Sequence, residues 1–187
     1  MTRTTIARLA GFTFLFYIVI GVTELVLRSG GTGAEATAVK LARLGQQASA
    51  VVLAVTLYLI TRDAGPVLAL VAMICSLLEG VGSTIAALLN VPWHTNAIFF
   101  AVGSTLFCWL FLRGRMIPVA MAWLGVLASV LLVVILPLQL AGLTGGSANW
   151  FSAITWFVWL PMLVFEVTLA LWLIVRGVAA PALRQLA

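Results

Sequence analysis

Pro66-Val-Leu-Ala-Leu-Val-Ala-Met-Ile-Cys-Ser-Leu-Leu-Glu-Gly-Val-Gly-Ser-Thr-Ile-Ala-Ala-Leu-Leu89 is long and apolar enough to cross a bilayer, and it carries Glu79 in its interior. A carboxylate at membrane depth costs several kcal/mol unless it is neutral, paired or turned toward a polar cavity. At helical spacing Glu79 shares a face with Cys75, Ser76, Gly82, Ser83 and Asn90, whereas the opposite face is Leu, Val, Ile and Ala. The stretch therefore reads as a membrane helix with a narrow polar stripe inward and an aliphatic face toward lipid.

The rest of the chain has the same character. Of its 187 residues 64% are hydrophobic and 8% charged, and the mean hydropathy is +1.21. That balance excludes a soluble globular domain and gives an all-α class, a polytopic transmembrane bundle. At about 20 residues per span the length accommodates roughly six helices in a single transmembrane domain, residues 1–187. The spans read as Leu9–Leu27, Gly45–Ile60, Pro66–Leu89, Ala97–Leu112, Ile117–Leu140 and Trp150–Val175. A short amphipathic segment, Glu35 to Leu44, is expected to lie in the interface before the second span. Arg3 and Arg8 precede an apolar run too long for a secretory signal, so that run is expected to be a retained first span.

The net charge of +5 does not point to nucleic acid, because the basic residues stand singly in loops. They read as topology signals. Arg3, Arg8, Arg62, Arg113, Arg115, Arg176 and Arg184 fall on one side of a six-span arrangement, and Arg28, Lys40 and Arg43 on the other. The positive-inside rule then puts both termini in the cytoplasm.

Two more spans carry one glutamate each, Glu24 and Glu166. At 1.5 Å rise per residue, Glu166, Glu79 and Glu24 lie roughly 15, 20 and 24 Å from the cytoplasmic boundary, one layer in the middle and outer half of the membrane. Neither Lys nor Arg is expected at that depth. Desolvation and mutual repulsion favour the neutral acid in such a layer, so at least one of the three is expected to be protonated at neutral pH and poised as a proton donor. Three acids without bases favour a proton-linked or catalytic cavity over neutral helix–helix glue.

Aromatic residues accompany the acids. Thr155, Trp159, Met162 and Glu166 share one face of the last span, Tyr17 lies two turns before Glu24, and the fourth span brings Phe99, Phe100 and Phe107. The expected site is Glu79, Glu166 and Glu24 as catalytic acids and bases. Tyr17, Trp159, Phe99, Phe107, Met162, Ser83 and Asn90 are the expected substrate walls. Trp93 and Trp150 read as interfacial belt residues and His94 as a loop residue. A lone histidine and two cysteines in separate spans, Cys75 and Cys108, make no metal site, and no cofactor is implied. No Asp-rich magnesium motif for a diphosphate is present, and no Ser-His-Asp or Cys-His set.

Arg8-Leu-Ala-Gly11, Leu41-Ala-Arg-Leu-Gly45 and Leu171-Trp-Leu-Ile-Val-Arg-Gly177 resemble a family of small bacterial six-helix membrane proteins catalogued as a domain of unknown function. That resemblance implies a fold and a place in a bacterial inner (cytoplasmic) membrane, and no activity. In design, though in no matching motif, the chain also resembles small membrane-bound terpene cyclases, which combine a compact helix bundle, buried carboxylates and aromatic walls. The features together lead to a metal-independent terpene cyclase. A buried acid would protonate a linear prenyl chain and aromatic faces would stabilise the cation. The alternative is a proton-linked transporter or binding protein for a hydrophobic small molecule, with a homo-oligomer left open. A structural subunit beside a larger membrane complex is the third reading.

Overall fold

The structure, a computed structural model, describes residues 2–30, 33–89, 94–143 and 153–181. Six helices follow one another: α1 Arg3–Gly30, α2 Gly33–Thr61, α3 Pro66–Leu89, α4 His94–Gly114, α5 Val119–Leu140 and α6 Ala153–Val175. No strand occurs among the described residues. Five of the helices are long and apolar enough to span a membrane. The remaining one, α3, has 24 residues, about 36 Å of helix. The chain is thus a multi-pass membrane protein.

Each helix packs against its neighbours in sequence, and α6 returns against α1, so the six close into a ring. The expected lipid face of α3 is present: Leu70, Val71, Ile74, Leu78 and Val81 are exposed, while Ala69, Ala72 and Gly80 on the other side are buried. On α1, Phe12, Phe16, Val19, Val22 and Val26 form a similar outward stripe. Such apolar exposure is unfavourable in water and neutral in hydrocarbon.

The largest departure from the sequence reading is α2. Gly33–Thr61 is one continuous helix, not an interfacial segment followed by a short span. Its first turns carry Lys40 and Arg43, which hydropathy alone places in a loop. The helical residues of Glu35–Leu44 keep their backbone bonds satisfied within the helix, which favours continuing it wherever the chain runs through lipid. For the same reason α1 runs on to Gly30, beyond the glycine-rich loop expected after Leu27.

One end of the ring is tied together by Arg3. Its Nη1 meets Asp63 Oδ2 at 3.3 Å, and its Nη2 donates to the Ile60 carbonyl at 2.8 Å and reaches Met116 Sδ at 3.5 Å. The start of α1, the α2–α3 turn and the α4–α5 turn are therefore held by one guanidinium. The segment after α6 joins them, with Ala179 N–H donating to the Met116 carbonyl at 3.1 Å. Gly177, at φ +72°, follows α6 in the left-handed conformation that glycine adopts without strain. Both described ends of the chain lie on this side.

Ring closure requires Gly11. A β-carbon there would stand 2.7 Å from the Ala170 carbonyl oxygen and 3.1 Å from the Ile174 nitrogen, both backbone atoms. A β-carbon at Gly45 would meet only the tip of the Ile20 side chain, at 3.1 Å. Gly11→Ala is expected to lower stability by about 1–3 kcal/mol, and Gly45→Ala by no more than about 0.5 kcal/mol. Thermal unfolding of the two variants in detergent checks this; equal melting temperatures would contradict the α1–α6 contact.

Candidate functional site

α6 is oriented by a wedge. Gly125 of α5 leaves room for the Phe165 ring and Cys108 Sγ, which lie 2.6 and 2.7 Å from where its β-carbon would be. With Phe165 seated between α4 and α5, the next residue, Glu166, turns into the ring and is 7% exposed. Glu79 and Cys108 lie within electrostatic reach of its carboxyl group. Among the described residues no cation pairs with Glu166.

Tyr17 of α1 is the meeting point. Glu79, Glu166 and Glu24 are all within electrostatic reach of its hydroxyl group, and the Gln46 side-chain amide hydrogen-bonds to it. Gln46 reaches Tyr17 because Gly21, one turn further along α1, has no side chain: the Gln46 Nε2 atom is 2.9 Å from where a β-carbon would be. Gln47 turns the other way, about 100° around α2. Its Oε1 lies over Gly80 of α3, 3.1 Å from the position of a β-carbon. That oxygen is buried and has no hydrogen-bond partner among the described residues.

Aromatic residues stand on the same faces. Phe100 of α4 stacks on Trp159 of α6, with ring centroids 5.4 Å apart and planes at 23°. Trp159 and Glu166 share a face of α6, two turns or about 10 Å apart along the axis. Met162 lies between them and is buried, as is Thr155 beyond Trp159. Phe107, two turns from Phe100, is buried on the corresponding face of α4.

The structure thus brings Tyr17, Glu79, Glu166, Trp159, Met162 and Phe107 to the interior. It does not bring Phe99 there: that side chain is 40% exposed on the outside of α4. Its neighbour Phe100 takes the place, and the two-turn spacing to Phe107 is the signal that chooses between them. Ser83 belongs to α3, but its side chain lies outside the described set, as do Asn90, Trp93, Trp150 and the His94 side chain.

Glu24 is corrected in its surroundings. Arg43 pairs with it, Nη2 at 3.0 Å and Nε at 3.2 Å from Oε1. The continuous α2 carries Arg43 to this depth, so the acid layer does hold a base. Arg43 is the residue that the sequence reading misses. Gln46 and Gln47, which open the second span, read from the sequence as residues near a membrane surface or at a cavity mouth, and the structure turns them toward α1 and α3.

Residues 85–177 match the family model of DUF4386, a domain of unknown function. The match runs from the end of α3 through α6 and includes Phe100, Cys108, Trp159 and Glu166. It agrees with the expected likeness to a small helical family of unknown function. No curated protein and no solved structure matches the chain, and the likeness in design to terpene cyclases gains no support from these comparisons.

The Glu24–Arg43 pair is only partly solvated, with side chains 10% and 31% exposed. Arg43→Leu is expected to destabilise the protein by about 1–3 kcal/mol, because it leaves a mostly buried carboxylate without its guanidinium. The double variant Glu24→Leu/Arg43→Leu should regain most of that loss. Chemical or thermal unfolding in detergent measures both; additive losses in the double variant would contradict the pairing.

Proposed function

We propose that this chain is an integral-membrane enzyme that cyclises a linear isoprenoid by protonation, using the Glu166–Glu79–Tyr17 cluster. The observation that carries the reading is Glu166. It is a carboxyl group in the ring interior without a cation among the described residues, on the helix face that also presents Trp159 and its stacked partner Phe100.

The chemistry is self-contained. The carboxylic acid of Glu166 or Glu79 gives its proton to a terminal alkene or epoxide. With an alkene, the π electron pair forms the new C–H bond. With an epoxide, the oxygen takes the proton and the C–O bond opens. Either way a carboxylate and a tertiary cation remain. An internal double bond attacks that cation and closes the ring. The Phe100 and Trp159 faces stabilise positive charge as it migrates. Loss of a proton from a neighbouring carbon to the second carboxylate forms the product alkene, an isomer of the substrate. Glu24, held by Arg43, stands outside the proton transfer in this scheme, and Tyr17 relays or orients within it.

A second reading is favoured by the row of polar residues on α1 and α2. Tyr17, Gln46, Arg43 and Glu24 extend from the acid cluster toward the end of the ring opposite Arg3. Such a row suits a proton-linked transporter or binding protein for a hydrophobic molecule. In both readings the termini are cytoplasmic, by the arginine distribution, and the membrane is a bacterial cytoplasmic one, by the likeness to small bacterial membrane proteins; neither requires a homo-oligomer.

Membranes containing the protein, fed a panel of linear prenylated compounds and followed by LC-MS, are expected to yield a new compound of unchanged mass. Glu166→Gln and Glu79→Gln should each reduce that product by about 100-fold or more while the protein remains folded. A fully active Glu166→Gln protein removes the acid assignment. Intact substrates across the panel, together with pH-dependent ligand retention by the purified protein, favour the second reading.

A further inference from the structure

We infer that the Glu166 cluster is a binding site for stable lipophilic organic cations, such as hydrophobic ammonium or phosphonium compounds. The inference rests on the reading of this cluster as the functional site, and it names the charge of the ligand, which neither proposed function specifies.

Two observations carry it. The first is Glu166, which is buried and has no cation paired with it among the described residues. Arg43 does not serve it, being engaged by Glu24 through two nitrogen contacts to one oxygen. In a low-dielectric interior the carboxylate form of such a group is costly until a positive partner arrives. The second observation is the wall. The stacked Phe100 and Trp159 rings stand on the same helix faces, and a large delocalised cation gains attraction from them without the heavy dehydration cost of a small ion. Apolar substituents suit the buried Met162, Val158 and Phe107 nearby on α6 and α4. A phosphate, carboxylate or sulfonate ligand would meet like charge at Glu166.

The groups around the site set its pH dependence. α1 contributes Tyr17 and Glu24, α2 contributes Arg43 and the neutral Gln46, α3 Glu79 and Cys75, α4 Cys108 and α6 Glu166. α5 has no titratable side chain. Protons and an organic cation therefore compete for the same carboxylates, Glu166 and Glu79, and the cation binds more tightly as pH rises.

The test uses the full chain in phosphatidylcholine nanodiscs and two ions of matched shape and opposite charge, tetraphenylphosphonium and tetraphenylborate, measured by equilibrium binding. The native protein should bind tetraphenylphosphonium saturably, about tenfold or more tightly at pH ~8.5 than at pH ~5.5, and should bind tetraphenylborate about tenfold or more weakly. Glu166→Gln should weaken phosphonium binding by about tenfold or more and flatten its pH dependence, whereas Glu166→Asp keeps both. Trp159→Leu should weaken binding several-fold at every pH and leave the pH dependence in place. Absence of saturable phosphonium binding, equal binding of the borate, or unchanged binding by folded Glu166→Gln overturns the inference. The pH and charge-inversion comparisons need only the native chain, so they decide the matter even where Glu166→Gln does not fold. The prenyl assay is independent: cation binding without any isomer formed supports this inference and removes the cyclase chemistry. Isomer formation without cation binding does the reverse.

Discussion

A carboxyl group in hydrocarbon is the constraint around which this bundle is arranged. Each of the helices α1, α3 and α6 carries one, and a single acid facing lipid would cost more than most packing contacts return. The rotation of these helices is therefore not free. α3 turns Ala69, Ala72 and Gly80 inward, and the aliphatic bulk of Ile74, Leu78 and Val81 occupies its outward face. α6 is locked by the Phe165 wedge at Gly125, and the consequence of that lock is an inward Glu166. Once both helices are set, their acids stand within reach of each other and of Tyr17.

The contrast between the acids follows from what packs beside them. Glu24 has a guanidinium at 3.0 Å beside its carboxylate. Glu166 has Glu79 and the Cys108 thiol within electrostatic reach. One acid thus has a cation beside it, and the other is surrounded by groups that offer its carboxylate form no compensating charge. α2 is the helix that makes this distinction. It supplies Arg43 to Glu24, Gln46 to Tyr17 and Gln47 to the face of Gly80. It can do so because Gly21 and Gly80 present no side chain where the amides need space.

The sequence pattern carries the helix count, the membrane class and the inward faces of α3 and α6, because these follow from apolar length and the periodicity of polar residues. It fails where a helix is polar for part of its length. Lys40 and Arg43 look like a surface segment when hydropathy alone sets the boundary, and yet the backbone carries the helix through them. The choice of Phe99 over Phe100 fails for a related reason. Adjacent residues on a helix differ by about 100° in direction, and only a partner such as Trp159 fixes the phase.

The two ends of the ring are fastened differently. At the Arg3 end one guanidinium joins three segments, and a backbone hydrogen bond from Ala179 adds the chain after α6. Opening there would release several contacts together. Toward the other end, the described link between α1 and α2 above the acid cluster is a side-chain ion pair, Glu24–Arg43, which separates by rotamer changes with the helices in place. The low-dielectric surroundings make that pair strong while water is excluded, and entering water weakens it. Elsewhere α1 and α2 are closely packed, with Gln46 against Gly21 and Ile20 against Gly45. Water reaching the Glu24 end would therefore loosen the contact at the ion pair first, while the Arg3 end remains closed.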